Sequence, residues 1–334
     1  MKTLCAVKSE LLFPHSKDGF VSGEYLAEKC GISRQAVWKA VRSLRLRGAK
    51  IESVTNRGYR LVGSAGIISE DDVRLLLGKN IDANIIVYET IDSTNTEAKR
   101  KCADAFDVHK LNGTVIIAEK QTAGRGRMGR TFYSPKDSGL YLSIIYSPKI
   151  FTITPSLLTA VASVGVCYAL QDVYGVEARI KWVNDLFLNG KKICGILTEG
   201  ITNFETGLIE CAIVGIGVNI LPTNFPKELS AIAGSVLEDK NADTKRSEFA
   251  ASIITHILSL YKNNDFLNAM IEYRKRSFLI GMKVAIHPVV ENACEPYEAF
   301  VKGITDDAKL IVQNEDGREC VLESGEVHIG SDAV

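Results

Sequence analysis

Apolar positions recur along this chain with two periods, and the changes of period divide it. Between residues 22 and 46 the helical spacing appears twice. Tyr25, Leu26 and Cys30 form one stripe, which Gly31 breaks, and Val37, Ala40, Val41 and Leu44 recur at i, i+3, i+4 and i+7 behind Ser33. With Ser22 and Ser33 as caps, these are two helices joined by a tight turn, which is helix-turn-helix spacing. Residues 50–54 and 59–62 then flank a turn at Thr55-Asn-Arg-Gly58, a short hairpin with Arg57 at its tip. Helices followed by a basic hairpin predict a winged helix, and the composition change at Gly63-Ser-Ala-Gly66 marks a linker.

The middle of the chain mixes the two periods. Ser69 and Asp72 open a helix holding Val73, Leu75, Leu76 and Leu77, and strands are predicted at 85–88, 114–119 and 139–146. Thr94 followed by Glu97 spells a capping box for a helix through Ala98. Residues 155–174 predict a long core helix. Residues 178–188 and 191–197 predict two strands joined by Asn189-Gly190, the strongest two-residue hairpin signal. Residues 211–220 read as a buried strand whose Gly215 and Gly217 permit close approach of a backbone or ligand. Residues 244–278 predict helix, with Phe249, Ile253, Ile257 and Leu260 on one side. From Gly281 short β segments at 282–287, 297–302, 309–312 and 318–322, with a turn at Glu315-Asp-Gly317, predict a small barrel. The expected division is 1–64, 65–280 and 281–334.

Composition narrows the class. At 334 residues and 46% hydrophobic content the chain exceeds what one core needs, so two or three domains are expected. No apolar run reaches the roughly 18 residues of a membrane span, and Lys8 and Glu10 spoil any signal-peptide pattern, so a soluble protein with no membrane partner is expected. Eight cysteines are scattered singly, with no Cys-x-x-Cys pair, which points to a reducing cytoplasm and away from structural zinc. The net charge of zero hides an asymmetry. Residues 1–64 hold twelve Lys and Arg against five Asp and Glu, a net charge of +7, which leaves −7 on the remainder. A polyanion partner is expected for the first segment alone. The outer face of its second helix carries Arg34, Gln35, Trp38, Lys39 and Arg42, side chains suited to base edges and phosphates. A small packing module with a solvated charged face is the plainer alternative.

The densest chemistry lies at Gln121-Thr-Ala-Gly-Arg-Gly-Arg-Met-Gly-Arg130. Three glycines free the backbone, and three arginines supply forked donors, so phosphate or carboxylate is the expected guest. The run spells G-x-G-x-x-G, but Pro135 and Asp137-Ser-Gly139 argue against the helix a dinucleotide fingerprint requires. No Gly-Lys-Ser/Thr ending makes it a Walker loop. A solvated basic loop is the alternative. Polar Lys181, Asn184, Asp185 and Lys192 also interrupt an apolar frame on adjoining strands, where a lone lysine would ordinarily be a solvated strand face.

Together with the winged helix, the blocks Asp92-Ser-Thr-Asn95, Gly124-Arg-Gly-Arg-Met-Gly-Arg130, Lys181-Trp-Val-Asn-Asp185, Lys192-Ile-Cys-Gly-Ile-Leu197 and Gly215-Ile-Gly-Val-Asn219 resemble the bifunctional biotin protein ligases that also repress biotin operons. The resemblance covers almost the whole chain. It implies an α+β multidomain fold: an N-terminal winged helix-turn-helix, a central α/β ligase domain with a mixed sheet, and a C-terminal SH3-like β-barrel. It implies that Ser93, Thr94 and Gln121 bond the biotin ureido ring, in a biotin site completed by Asn95, Arg125, Gly126, Arg127, Lys192 and Gly195. It places the adenylate on Arg127, Arg130, Phe132, Asn184, Lys192 and Asn219, and DNA on Ser33, Arg34, Gln35, Trp38, Lys39, Arg42 and Arg57. Phe132 stands where relatives often have Trp, which changes the size of an aromatic platform. Val183 stands where Pro is common, a change with no expected consequence.

The implied substrates are ATP and biotin with Mg²⁺, the product biotinyl-5′-AMP doubles as corepressor, and the partners are a biotin-acceptor protein, operator DNA and a second copy in a ligand-promoted homodimer. Lys192, Arg127 and Asp185 are the expected catalytic residues, with Asp185 either accepting a proton or holding Mg²⁺. A lipoate ligase shares the central fold but would lack the winged helix and this Gly/Arg block. A ligand-responsive transcription factor with a spent catalytic domain is the other alternative, against which the intact arginines, Lys192 and Asp185 stand.

Overall fold

The computed structural model describes residues 2–46, 49–63, 66, 68–77, 81–149, 153–203, 205–287 and 296–329. Helices α1 (Lys2–Leu12), α2 (Gly23–Cys30) and α3 (Arg34–Leu46) precede an antiparallel hairpin, β1 (Lys50–Val54) and β2 (Gly58–Gly63). Ser22 Oγ accepts the Tyr25 N–H at 3.1 Å and Ser33 Oγ the Ala36 N–H at 3.2 Å, so both expected caps form. Gly31 ends α2 in the left-handed region at φ 64°. Val37, Ala40, Val41 and Leu44 are buried. The first helix was not foreseen. Among the described side chains of α1, Val7 and Leu11 are buried in this cluster, too few to register as a stripe. Ser64 and Ala65 of the expected linker lie outside the described residues.

The centre is a mixed sheet of seven strands. Helix α4 (Glu70–Leu77) leads to β3 (Asn84–Tyr88), α5 (Thr94–Asp104), β4 (Thr114–Ala118), β5 (Gly139–Tyr146) and α6 (Pro155–Tyr174). Next come β6 (Arg179–Lys181), β7 (Asp185–Leu188), β8 (Lys191–Thr202), β9 (Ile209–Asn219), a short α7 (Lys227–Ser230), α8 (Arg246–Lys262) and α9 (Phe266–Arg276). The order is β3-β4-β5-β9-β8-β7-β6, with β3 and β4 parallel and the other pairs antiparallel.

Two expectations gave way here. Residues 178–188 are not one strand. The chain turns at Trp182-Val183-Asn184 and folds back, so that Lys181 pairs with Asp185. Residues 244–278 are two helices, because the chain leaves α8 at Asn263 and Asn264 takes φ 51°. Helix α6, the expected core helix, is long and apolar enough to cross a membrane, and two thirds of it is buried inside the protein, against α8, α9 and β8. Its apolar surface is core, because the sheet and two helices cover it from opposite sides.

A second sheet, β10 (Lys283–His287), β11 (Tyr297–Ile304), β12 (Leu310–Asn314), β13 (Glu319–Leu322) and β14 (Glu326–Ile329), is antiparallel in the order β13-β12-β11-β10-β14. Strand β14 was not foreseen. The buried face of this sheet, including Val284, Val301 and Val312, joins the core of the central sheet, and Trp182 Nε1 donates to Ala308 O at 2.8 Å.

One buried ion pair fastens the middle together. The Arg246 side chain is 1% exposed; it lies 2.7 Å from Glu119 Oε2, and donates to the carbonyls of Gly66 and Gly139. Removing Arg246 leaves the Glu119 carboxylate buried without its counter-charge, whereas Arg246 has a second, more exposed carboxylate in Asp137 at 3.3 Å. Arg246→Met is expected to lose about 3–5 kcal/mol in urea unfolding, and Glu119→Gln in the same chain to recover most of it. An equal loss with and without the second change would show that the cost lies in packing.

Candidate functional site

A cleft of about 330 Å³ opens beside the first half of β8 and the end of β9, and every site residue expected in the central region lines it. Its polar end is built at the start of α5. Ser93, in an extended conformation, is the cap and accepts the Thr96 N–H, so the expected capping role of Thr94 is corrected: Thr94 is the first helical residue. Its side chain is thereby released for the cleft. The Thr94 N–H donates to Gln121 Oε1 at 2.9 Å, Gln121 Nε2 donates to Ser134 Oγ at 2.8 Å, and Ser143 Oγ lies 2.7 Å from Thr94 Oγ1 and 2.6 Å from Asn95 Oδ1. Ser134 and Ser143 were missed. Ser143 is the one small polar residue in the buried run Leu140-Tyr-Leu-Ser-Ile-Ile-Tyr146, and that interruption was its only signal.

The Gly/Arg loop is folded back on itself. Arg125 bridges Thr131 in antiparallel fashion, and the Gly126 N–H donates to Arg130 O at 2.7 Å. A Cβ on Gly124 would lie 2.4 Å from Phe132 O, so this turn admits only glycine. The three arginines diverge to three different elements. Arg125 reaches Glu199 of β8 at 3.4 Å, Arg127 reaches Asn184 Oδ1 at 3.1 Å, and Arg130 reaches Glu326 of β14 at 2.8 Å.

At the cationic end, Lys192 Nζ is 2.6 Å from Asp185 Oδ1. Lys181 sits beside them, and burial pushes its ammonium below the ordinary lysine value, although Asp185 opposes the shift. The Phe132 ring lies between the two ends. A Cβ on Gly217 would stand 2.5 Å from it and one on Gly195 3.4 Å, so β8 and β9 are bare where the ring rests. Asn219 ends β9 at the same wall. Glu326 and its neighbour His328 also line the cleft; they belong to the strand that the sequence did not reveal.

Away from the cleft, Ser33, Arg34, Gln35, Trp38, Lys39 and Arg42 are all exposed on the outer face of α3, with the Arg42 guanidinium 5.6 Å from the Trp38 ring. Arg57 is less free than its place in the hairpin suggests. It bonds Asp18 at 2.5 Å and lies 4.3 Å over the Phe20 ring, and that hydrogen bond holds the Asp18 carboxyl down at about 2.

Comparison with known proteins places these features in one family. Residues 87–219 match the biotin/lipoate A/B protein ligase family, and residues 12–60 match a helix-turn-helix domain. The bifunctional ligase/repressor BirA of Bacillus subtilis is 31% identical over 326 residues, 96% of this chain and 97% of that protein. The chain belongs to the bifunctional ligase/repressor family. The Escherichia coli ligase/repressor is 28% identical over 80% of this chain and 81% of its own. Among solved structures, the biotin protein ligase of Aquifex aeolicus in complex with biotin and ATP superposes with a TM-score of 0.60 at 26% identity, over 73% of this chain and 97% of that one. In this ligase/repressor chain the bare floor under Phe132 is directly testable. A crystal structure of Gly217→Ala should show the ring expelled from its present position, with a stability cost of about 1–3 kcal/mol from overpacking; a ring in place would show that β9 yields instead.

Proposed function

We propose that this chain activates biotin with ATP to biotinyl-5′-AMP, transfers the biotinyl group to a lysine of an acceptor domain, and binds operator DNA through its first sixty-odd residues. The observation that carries the reading is one cleft with an uncharged hydrogen-bonding end, an aromatic ring, and a cationic end. A ureide needs paired donors and acceptors, and Ser93, Thr94, Asn95 and Gln121 supply them. The biotin carboxylate and the α-phosphate need cations, which Arg127, Arg130 and Lys192 supply, with the loop backbone of Arg125 and Gly126 covering them. Phe132, Asn184 and Asn219 take the nucleotide side, and Gly195 keeps the wall beside Lys192 open. Residues 281–334, as an SH3-like barrel, add Glu326 to the nucleotide side.

The first half-reaction needs no general base, because the biotin carboxylate is ionised at neutral pH. It attacks the α-phosphorus and pyrophosphate leaves, so the barrier is anion against polyanion, and the residues act by alignment and charge neutralisation. In the second, an acceptor lysine with a reference value of about 10.4 must lose a proton before it attacks the anhydride carbonyl and AMP leaves. Asp185 faces that position and is the carboxylate suited to receive the proton. Its pairing with Lys192 also fits Mg²⁺ in the way that ion binds with nucleotides, through one protein carboxylate and substrate phosphates. When bound, Mg²⁺ would screen the phosphates. An adenylate-dependent homodimer that spans two operator half-sites completes the proposed regulation.

The deciding experiment is pyrophosphate release from ATP with biotin or with lipoate, followed by transfer to a biotin-acceptor domain. Release and transfer with biotin alone are expected; release with lipoate alone would reassign the substrate, and silence with both alongside tight DNA binding would leave a sensor. Lys192→Ala is expected to lose adenylate synthesis by about a hundredfold or more, the scale seen when one electrostatic donor is removed. Arg127→Gly should release the adenylate and label bystander lysines, and an unchanged adenylate off-rate would remove the loop from product retention. For the DNA interface, Arg34→Ala and Lys39→Ala should each lower the slope of log K against log salt by about 1, read by titration of operator DNA at several salt concentrations.

A further inference from the structure

Glu199 of β8 lies behind the cleft wall, where α5, β8 and the Gly/Arg loop meet. Its Oε1 accepts from Lys99 Nζ at 2.7 Å and from Arg125 Nη2 at 3.4 Å, and its Oε2 accepts from Asn95 Nδ2 at 2.9 Å. Burial opposes its ionisation, but the hydrogen bonds from Lys99 and Asn95 outweigh it and hold the carboxyl below its ordinary value. An ionised carboxylate can only accept, and this fixes the direction of every bond beyond it. Asn95 must turn its NH₂ to Glu199, with a further bond to Leu197 O at 3.3 Å, which leaves Oδ1 as the acceptor facing Ser143. Ser143 has one proton, and Asn95 takes it. The Thr94 hydroxyl proton then goes to the Ser143 oxygen, 2.7 Å from Thr94 Oγ1, or to Gln121 Oε1 at 3.2 Å. Gln121 Oε1 already accepts the Thr94 backbone N–H. Toward the cleft, Thr94 Oγ1 therefore offers lone pairs only.

We propose that Glu199 is a positioning residue with two outputs: it polarises the Asn95–Ser143–Thr94 relay so that an acceptor faces a ligand N–H, and it anchors the Gly/Arg loop through Arg125. The first output rests on the biotin reading, whose ureide supplies that N–H. The second stands on the ligand-free protein. Glu199→Gln tests both, because a glutamine can present either its oxygen or its NH₂ to Asn95 and no longer carries the charge that holds Arg125 and Lys99.

In the unliganded full-length protein, trypsin cleavage after Arg125, Arg127 and Arg130, followed by mass spectrometry, should be about fivefold faster in Glu199→Gln, since cleavage follows the open population of the loop. The biotin KM for pyrophosphate release should rise about tenfold, with kcat within about twofold and the melting temperature unchanged. Glu199→Asp, which keeps the charge and the acceptor-only character, should recover part of both effects. Wild-type cleavage and wild-type KM in Glu199→Gln would overturn the proposal. So would a change in only one of them, or equal losses in kcat and stability that Asp fails to restore. If the wild-type protein releases no pyrophosphate with biotin, the biotin reading and the first output fall together, while the cleavage rates still decide the second.

Discussion

Two positions without side chains determine how the centre of this molecule is built. On β9, a Cβ at Gly215 would lie 2.0 Å from Asn95 Oδ1 and one at Gly217 2.5 Å from the Phe132 ring. The start of α5 and the end of the Gly/Arg loop can therefore both sit directly on the backbone of the sheet. Everything chemical in the cleft follows from that close approach. Asn95 reaches Ser143 and Glu199 only because Gly215 yields it room, and Phe132 divides the polar end from the cationic end only because Gly217 leaves a flat floor. The cost is conformational, since glycines weaken a strand, and β9 offsets it with Cys211, Ile213, Val214, Ile216 and Val218 fully or nearly fully buried between its neighbours β5 and β8.

The second principle is the management of positive charge. A loop with three arginines repels itself unless each finds a counter-charge or a dipole, and here each finds one on a different element. The loop is thus tied to β8, to the turn before β7 and to β14 at once. The same three side chains that would meet anions are the ones that report whether those elements are in place. Lys192 and Asp185 repeat the pattern on adjacent strands, with their charged ends 2.6 Å apart.

The DNA-reading segment is not merely strung on the front. Lys8 of α1 forms an ion pair with Asp72 of α4, both side chains largely buried, and a cavity lined by both residues runs between the two parts. With Arg57 and Arg60 both over Phe20, and Arg57 bound to Asp18, the hairpin is held against its own helices. The outer face of α3 is left as the accessible basic surface.

What the sequence determined by itself was local. Ser22, Ser33 and Gly31 set helix ends within a few residues of themselves, Asn189-Gly190 made the turn its backbone favours, and three glycines with three arginines in ten residues marked a loop suited to hold anions. The glycines of β9 announced a close approach, though not by what. Tertiary structure decided the rest, because its partners are distant in sequence. Trp182-Val183-Asn184 looks like strand until the halves on either side pair with each other. Helix α6 reads as core from its composition, but only the fold brings α8, α9 and β8 to cover it. Thr94 looks like a cap until Gln121 and Ser143 claim it. Glu199 and Glu326 carry no pattern at all; each matters through an arginine brought to it by the fold, in the second case from 196 residues away, and no local rule of spacing reaches that far.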